Sequence, residues 1–116
     1  MLTVQRGLLL IEKWRFFIED CDRCYAWDIS EYNNEIRVRD ELENFLRSQT
    51  FTQFEGRVEF LQELFLLDGR LQDLFLPNSV LRNRDTWWKQ GVLARAGEPY
   101  RDYMFKVYGF NVQLCA

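Results

Sequence analysis

Hydrophobic residues recur at helical spacing through the N-terminal part of the chain. Positions 7, 10, 14, 17, 21 and 24 read Gly, Leu, Trp, Phe, Cys and Cys, a heptad-like stripe. Leu9 and Phe16 lie further round the same helix, so the apolar arc is wider than the seam of a coiled coil. The pattern predicts a first helix from about Thr3 to Asp22 that is buried on much of its circumference.

A ladder of opposite charges marks the next helix, after a turn-rich break over Trp27–Asn34. Glu35, Arg39, Glu43 and Arg47 stand four residues apart with alternating sign. Side chains at this spacing are neighbours on a helix surface, so each successive pair can meet on a solvated face. The other side of this predicted helix carries the apolar residues Val38, Leu42, Phe45 and Leu46.

The third helix has a start signal, because Thr52 and Glu55 have the spacing of a capping box. An apolar stripe follows at spacings of four, three and four residues, namely Phe54, Val58, Leu61 and Phe65. Gly69 can take the left-handed cap that ends a helix. A short helical piece then runs to Leu76, before Pro77 stops it.

Two tryptophans side by side dominate the next segment. Ser79 or Asp85 can cap a helix over about residues 84–96 that carries Trp87 and Trp88, and Gly97 can close it.

Another helix is predicted after the tryptophan segment, because Pro99 suits a first helical turn. Its apolar face carries Tyr100, Tyr103, Met104 and Val107. Beyond Gly109, residues 110–116 form either a short strand or an extended tail.

These elements predict an all-α fold, with residues 1–116 forming one bundle of five or six helices. The chain has 116 residues, which is close to the usual size of a domain. It contains 47% hydrophobic residues, with 10 Phe, 5 Tyr and 4 Trp but only 2 Pro and 6 Gly. Such a composition favours a packed core over disorder.

Charge is divided unevenly along the chain. Residues 1–78 hold 9 basic and 15 acidic side chains, a net charge of −6, while residues 79–116 hold 6 basic and 3 acidic ones, a net charge of +3. Together they give the total of −3. A basic C-terminal third on an acidic body fits charge complementarity within the fold, or a patch for an anionic partner.

The odd number of cysteines argues against a disulfide framework, and Cys21 and Cys24 are expected to pack in the core, with a redox pair as the alternative. Cys21 and Cys24 continue the stripe of the first helix, and a CxxC pair without a second pair or histidines does not make a zinc site. The longest apolar run near the N-terminus, Leu8–Ile11, is too short for a signal peptide or a membrane span. We therefore expect reduced thiols, a cytoplasmic location and no membrane partner.

Enzymatic signatures are weak in this sequence. The chain has no histidine, which excludes a histidine-assisted serine or cysteine nucleophile. Its glycines are scattered singly, so they form no phosphate-binding loop. We expect no catalytic residues, no cofactor and no metal.

Successive helical residues point about 100° apart, so the Trp87 and Trp88 indoles would face different directions. Arg84 would lie within reach of either ring. Three interpretations fit these two tryptophans. Both indoles can be buried in the core, or one of them can anchor a protein interface. Alternatively, the indoles can stack on bases in a nucleic-acid groove.

A row of glutamates is the other unusual surface, because Glu59 and Glu63 repel at helical spacing. They can form a solvated face or dock against the basic C-terminal third of this or a second copy. A third hypothesis is a divalent-metal site with Asp40 and Glu43 of the preceding helix.

The favoured hypothesis is a small non-enzymatic helical protein–protein interaction module, acting as an adaptor, regulator or inhibitor. Its partner would be another protein or a second copy in a homodimer. The candidate protein-binding residues are Arg84, Trp87, Trp88, Arg95, Tyr100, Tyr103, Glu59 and Glu63. The alternative is a nucleic-acid-binding module in residues 79–116, and a lesser alternative is a metal-dependent hydrolase with helix-borne carboxylates.

Overall fold

The computed structural model describes residues 2–115, and the predicted all-α bundle is confirmed. The helical segments are α1 (Val4–Cys24), α2 (Ile29–Ile36), α3 (Val38–Leu46), α4 (Gln49–Thr52), α5 (Arg57–Leu74), α6 (Trp87–Gln90) and α7 (Glu98–Tyr108). Two short strands, β1 (Arg95–Ala96) and β2 (Gln113–Leu114), pair in parallel. Five of these segments are longer than a single turn, in agreement with the predicted five or six helices, and α4 and α6 are single turns.

Helix α1 forms the centre of the bundle and matches its predicted bounds. The Thr3 hydroxyl caps it by accepting a hydrogen bond from the Arg6 amide at 3.1 Å. The stripe around Trp14 is buried against α3 and α5. Leu9 and Phe16 are exposed, so the prediction that α1 is buried on much of its circumference is wrong at these two positions.

The charge ladder does not lie on one solvated face. The helix breaks at Arg37, which leaves Glu35 on α2 and the other three members on or beside α3. Arg39 is only 6% exposed, because a carboxylate of α5 meets it inside the bundle. Glu43 accepts from Arg39 at 2.7 Å and lies 3.8 Å from Arg47, so only the C-terminal end of the ladder is a surface ion pair.

Helix α5 differs from its prediction at both ends. It begins after Gly56, and the Thr52 hydroxyl donates to the Ser48 carbonyl at 3.2 Å, so the predicted capping box is wrong. The helix also continues through Gly69 to Leu74, and the separate piece predicted after Gly69 is its last turn and exit. Tertiary contacts of the residues around Gly69 outweigh the local tendency of glycine to end a helix.

The face of α5 that enters the core is not the stripe singled out by its spacing. The buried residues of α5 are Phe60, Leu64, Leu67 and Leu71. Val58, Leu61 and Phe65 lie on another side and are exposed. Helix α5 is therefore apolar on two faces, of which the bundle covers one.

The predicted helix over residues 84–96 is wrong, because only the single turn α6 forms there. After Gly91 the chain is extended and runs beside the exit of α5, where Leu93 forms an antiparallel bridge with Phe75. A Cβ built at Gly91 would lie 2.1 Å from the Phe75 ring. Because Gly91 has no side chain, the Phe75 ring of the same chain can pack directly against its backbone.

The helix predicted after the tryptophan segment forms as α7, and part of the segment after Gly109 forms a short strand. Helix α7 begins after Gly97 with Pro99 in its first turn, and it ends at Gly109, whose φ of 75° is left-handed. Residues 113–114 then form the short strand β2 beside β1. Position 116 lies outside the described residues.

A disulfide joins Cys24 at the end of α1 to Cys115 after β2, with 6.0 Å between the two Cα atoms. The expectation that Cys24 packs as a reduced thiol is therefore wrong, whereas Cys21 is a buried thiol as predicted. Sequence spacing drew attention to the CxxC pair, but the fold pairs Cys24 with a residue 91 positions away.

Candidate protein-binding surface

Trp88 belongs to the interior of the protein. It is 6% exposed, and its indole Nε1 donates to the Asp40 carboxylate at 3.0 Å. The Arg39 guanidinium lies 4.7 Å from the centre of the Trp88 ring, within cation–π range. The Lys89 ammonium lies 2.7 Å from the Asp40 carboxylate, so Asp40 binds both Trp88 and Lys89.

The same guanidinium connects α3 to α5 and α1. Arg39 donates to Asp68 of α5 from Nε at 3.1 Å and from Nη2 at 3.0 Å. The Trp14 indole of α1 donates to Asp68 at 3.0 Å. A buried charge is tolerated where its hydrogen bonds are satisfied, so this network, rather than a ligand, accounts for the cations near the tryptophans.

Trp87 and Arg84 are also held by their own chain. The Trp87 ring is half-buried and meets Trp88 edge to face at 5.6 Å between centroids. Arg84 donates to the Asn33 side chain at 3.0 Å, so its predicted place over an indole is taken by Arg39.

The remaining aromatic candidates divide between core and edge. Tyr100 is fully buried, and its hydroxyl accepts from the Leu93 amide at 3.0 Å. Tyr103 is partly buried and packs on Tyr108 at 6.1 Å. Because Trp88 and Tyr100 are enclosed, neither can contribute to a contact surface of the folded chain.

The acidic candidates do not form a metal site. Glu59 is exposed on α5, whereas Glu63 forms an ion pair with Arg15 of α1. Within residues 2–115 no group of three or more histidine, cysteine or carboxylate side chains is placed to hold a metal ion. The proposed cluster with Asp40 and Glu43 is not assembled, because those two carboxylates bind Lys89 and Arg39.

Four of the six basic residues of the C-terminal third are engaged within the chain, whereas Arg82 and Lys106 are exposed. Besides Lys89 and Arg84, Arg101 lies 3.0 Å from Asp102, and exposed Arg95 donates to the Asp22 carbonyl at 3.2 Å. These contacts compete with the phosphate binding that a nucleic-acid site requires.

A cleft of about 290 Å³ between α1 and α2–α3 holds Glu35. The Tyr25 hydroxyl donates to the Glu35 carboxylate at 3.0 Å. Burial raises the pKa of Glu35 above its ordinary value, and the charges of Glu31 and Asp20 add to this, while the Tyr25 hydrogen bond opposes it.

Glu35 should therefore make stability depend on pH. A raised carboxyl pKa means that the folded state holds the proton more tightly than the unfolded state, so stability falls as pH rises from the ordinary Glu range through the raised pKa. Glu35→Gln should remove this decline, since its amide oxygen can still accept from Tyr25. Urea unfolding of both proteins across this pH range measures the effect, and parallel curves would contradict it.

The candidate site is the outer face of α5, defined by Val58, Leu61, Phe65 and Leu66. Their exposed fractions are 56%, 44%, 77% and 71%. Together they form a continuous strip along two to three turns of one helix. The other exposed large apolar side chains are spread over several elements, as in Leu8, Leu9, Phe16, Trp27, Val80, Phe105, Val107 and Leu114.

Sequence reasoning noticed part of this strip but not its orientation. The spacing of Val58, Leu61 and Phe65 is the usual mark of a buried stripe. A second apolar series, Phe60, Leu64, Leu67 and Leu71, shares the helix. Two apolar stripes on one helix were the available signal that one of them faces away from the bundle.

Comparisons with known protein families, curated proteins and solved structures find no match for this chain. None of the helices among residues 2–115 has the length and apolar character to cross a membrane.

Proposed function

We propose that the protein is a small non-enzymatic helical interaction module that binds another protein through the outer face of α5. The observation that carries this proposal is the exposure of four neighbouring large apolar side chains on one helix. The chain would act as an adaptor, regulator or inhibitor, with a second copy or a different protein as its partner.

The extent of the outer face supports this proposal. Its four side chains expose on the order of 400 Å² of apolar area, a size at which patches on monomers are often functional. A standard interface buries about 800 Å² per partner, and more than half of that area is apolar. Surrounding polar residues such as Glu59 and Gln62 are exposed and would form the rim.

The rigidity of α5 also supports the proposal. Its inner face packs on α1, and Asp68 is fixed by Arg39 and Trp14. A helix anchored in this way presents its outer residues with little conformational entropy left to lose on binding.

A cytoplasmic location stays a prediction. The Cys24–Cys115 disulfide argues against it, because such bonds persist mainly in oxidising compartments.

Phe65→Asp is expected to abolish complex formation, because it places a charge at the centre of the outer face. Light scattering of the purified protein, together with affinity capture from native extract, should show a complex for the wild type and not for the variant. Truncating a hot-spot aromatic at the centre of an interface costs about 2 kcal/mol or more, so at least about a thirtyfold loss of affinity is expected.

Phe105→Asp is the matched control, since Phe105 of α7 is 58% exposed but lies outside the outer face. It should bind like the wild type. A wild-type protein that is strictly monomeric and captures nothing would contradict the proposal, and so would equal losses in both variants.

A further inference from the structure

We propose that the partner at the outer face of α5 is a second copy of this chain, with the two α5 helices antiparallel. This inference rests on the proposed function and adds an occupant and an orientation to it. Charge, shape and symmetry of the exposed side of α5 carry the argument.

The charges beside the outer face are self-complementary in one orientation. Glu59 and Arg70 lie about three turns apart along α5 and only about 20° apart around its axis, so they share one flank. An antiparallel pair centred between them places Glu59 of each copy beside Arg70 of the other. A parallel two-fold pair would instead place this flank of the two copies on opposite sides of the interface, so Glu59 and Arg70 would not meet.

Arg70 is available for such a contact. It lies 2.8 Å from Asp22 of α1, and both side chains are a little under half exposed. A guanidinium has five N–H donors, so Arg70 can keep its bond to Asp22 and donate to a second carboxylate. Glu59 is exposed on the same flank of α5 as Arg70.

The surface beyond Phe65 offers room for a partner. Gly69 lies one turn further along α5, and within residues 2–115 no side chain or other segment approaches within 4 Å of where its Cβ would stand. A glycine inside a helix carries a cost, and none of the contacts among the described residues explains it at position 69. Helix α5 thus carries the Phe65 ring, which is 77% exposed, and an open space at Gly69 that side chains of the second copy can fill.

Symmetry doubles every favourable contact in this arrangement. In a two-fold interface each copy presents the same patch, so Glu59 and Arg70 meet twice and each Phe65 meets the facing helix. A different protein would need charges and apolar side chains at matching positions, whereas a second copy of this chain carries the same Glu59, Arg70 and Phe65.

A charge-exchange experiment tests the orientation by sedimentation equilibrium at low salt. Glu59→Arg and Arg70→Glu should each weaken self-association about tenfold or more, since each replaces two attractive contacts with two repulsive ones. An equimolar mixture of the two single variants should associate like the wild type. The double variant Glu59→Arg/Arg70→Glu should also recover wild-type association.

Each other outcome overturns the inference in a recognisable way. A monomeric wild type that loses a captured protein through Phe65→Asp would contradict the second copy but leave the proposed function intact. Self-association unaffected by both single variants, or weakened equally in the double variant, would contradict the antiparallel arrangement. Self-association that survives Phe65→Asp would place the interface elsewhere and overturn both proposals.

Discussion

Arg39→Ala is expected to lower the free energy of unfolding by about 3–5 kcal/mol, the usual cost of breaking a buried ion pair. The substitution leaves Asp68 of α5 without the two guanidinium bonds at 3.0–3.1 Å and removes the cation over Trp88. It therefore loosens the contacts among α1, α3, α5 and α6 together. Urea unfolding monitored by tryptophan fluorescence measures the loss.

Arg47→Ala is a matched control at the C-terminal end of the same helix, α3. Arg47 also faces Glu43, at 3.8 Å, but 78% of its side chain is exposed. Exposed ion pairs contribute between zero and about 1 kcal/mol, so this variant should unfold nearly like the wild type. Equal destabilisation by the two substitutions would show that the Arg39 network does not hold the bundle together.

Loss of the disulfide is expected to lower the free energy of unfolding by about 4–5 kcal/mol in the chain-entropy model. The bond spans 91 positions and therefore closes residues 24–115 into one loop. Its reduction would also release the end of β2 from α1. The urea midpoint of the wild type, with and without reducing agent, measures this effect.

The cysteine variants provide an internal control for the same bond. Cys24→Ser, Cys115→Ser and the double variant should all be destabilised to a similar degree, because each removes one and the same cross-link. None should respond further to reducing agent. A wild-type midpoint that is unchanged on reduction would contradict a stabilising role for the Cys24–Cys115 bond.

Local signals predicted the helices that are largely defined by their own sequence. Thr3 caps α1, and Pro99 and Gly109 bound α7, because capping, proline and glycine preferences act within one turn. The predicted helix around Trp87 failed for the opposite reason. There, long-range contacts replace the helix: the Trp88 indole donates to Asp40, and the extended chain after Gly91 pairs with Phe75.

The candidate site was only partly predictable. An interaction module was expected from the aromatic content, but the residues chosen for its surface included Trp88 and Tyr100, which are buried. Periodicity identifies an apolar stripe but not what covers it. Only the packing of α5 on α1 shows that Phe65 is turned outward.

The central claim, that a second copy binds the outer face of α5, is tested most directly by nuclear magnetic resonance spectra recorded over a range of protein concentrations. Association should shift or broaden backbone amide signals of residues 57–74, strongest around Phe65, and leave α7 around Phe105 unchanged. Signals that change on α7 or around Phe16 while those of α5 stay constant would contradict it, as would spectra that do not depend on concentration.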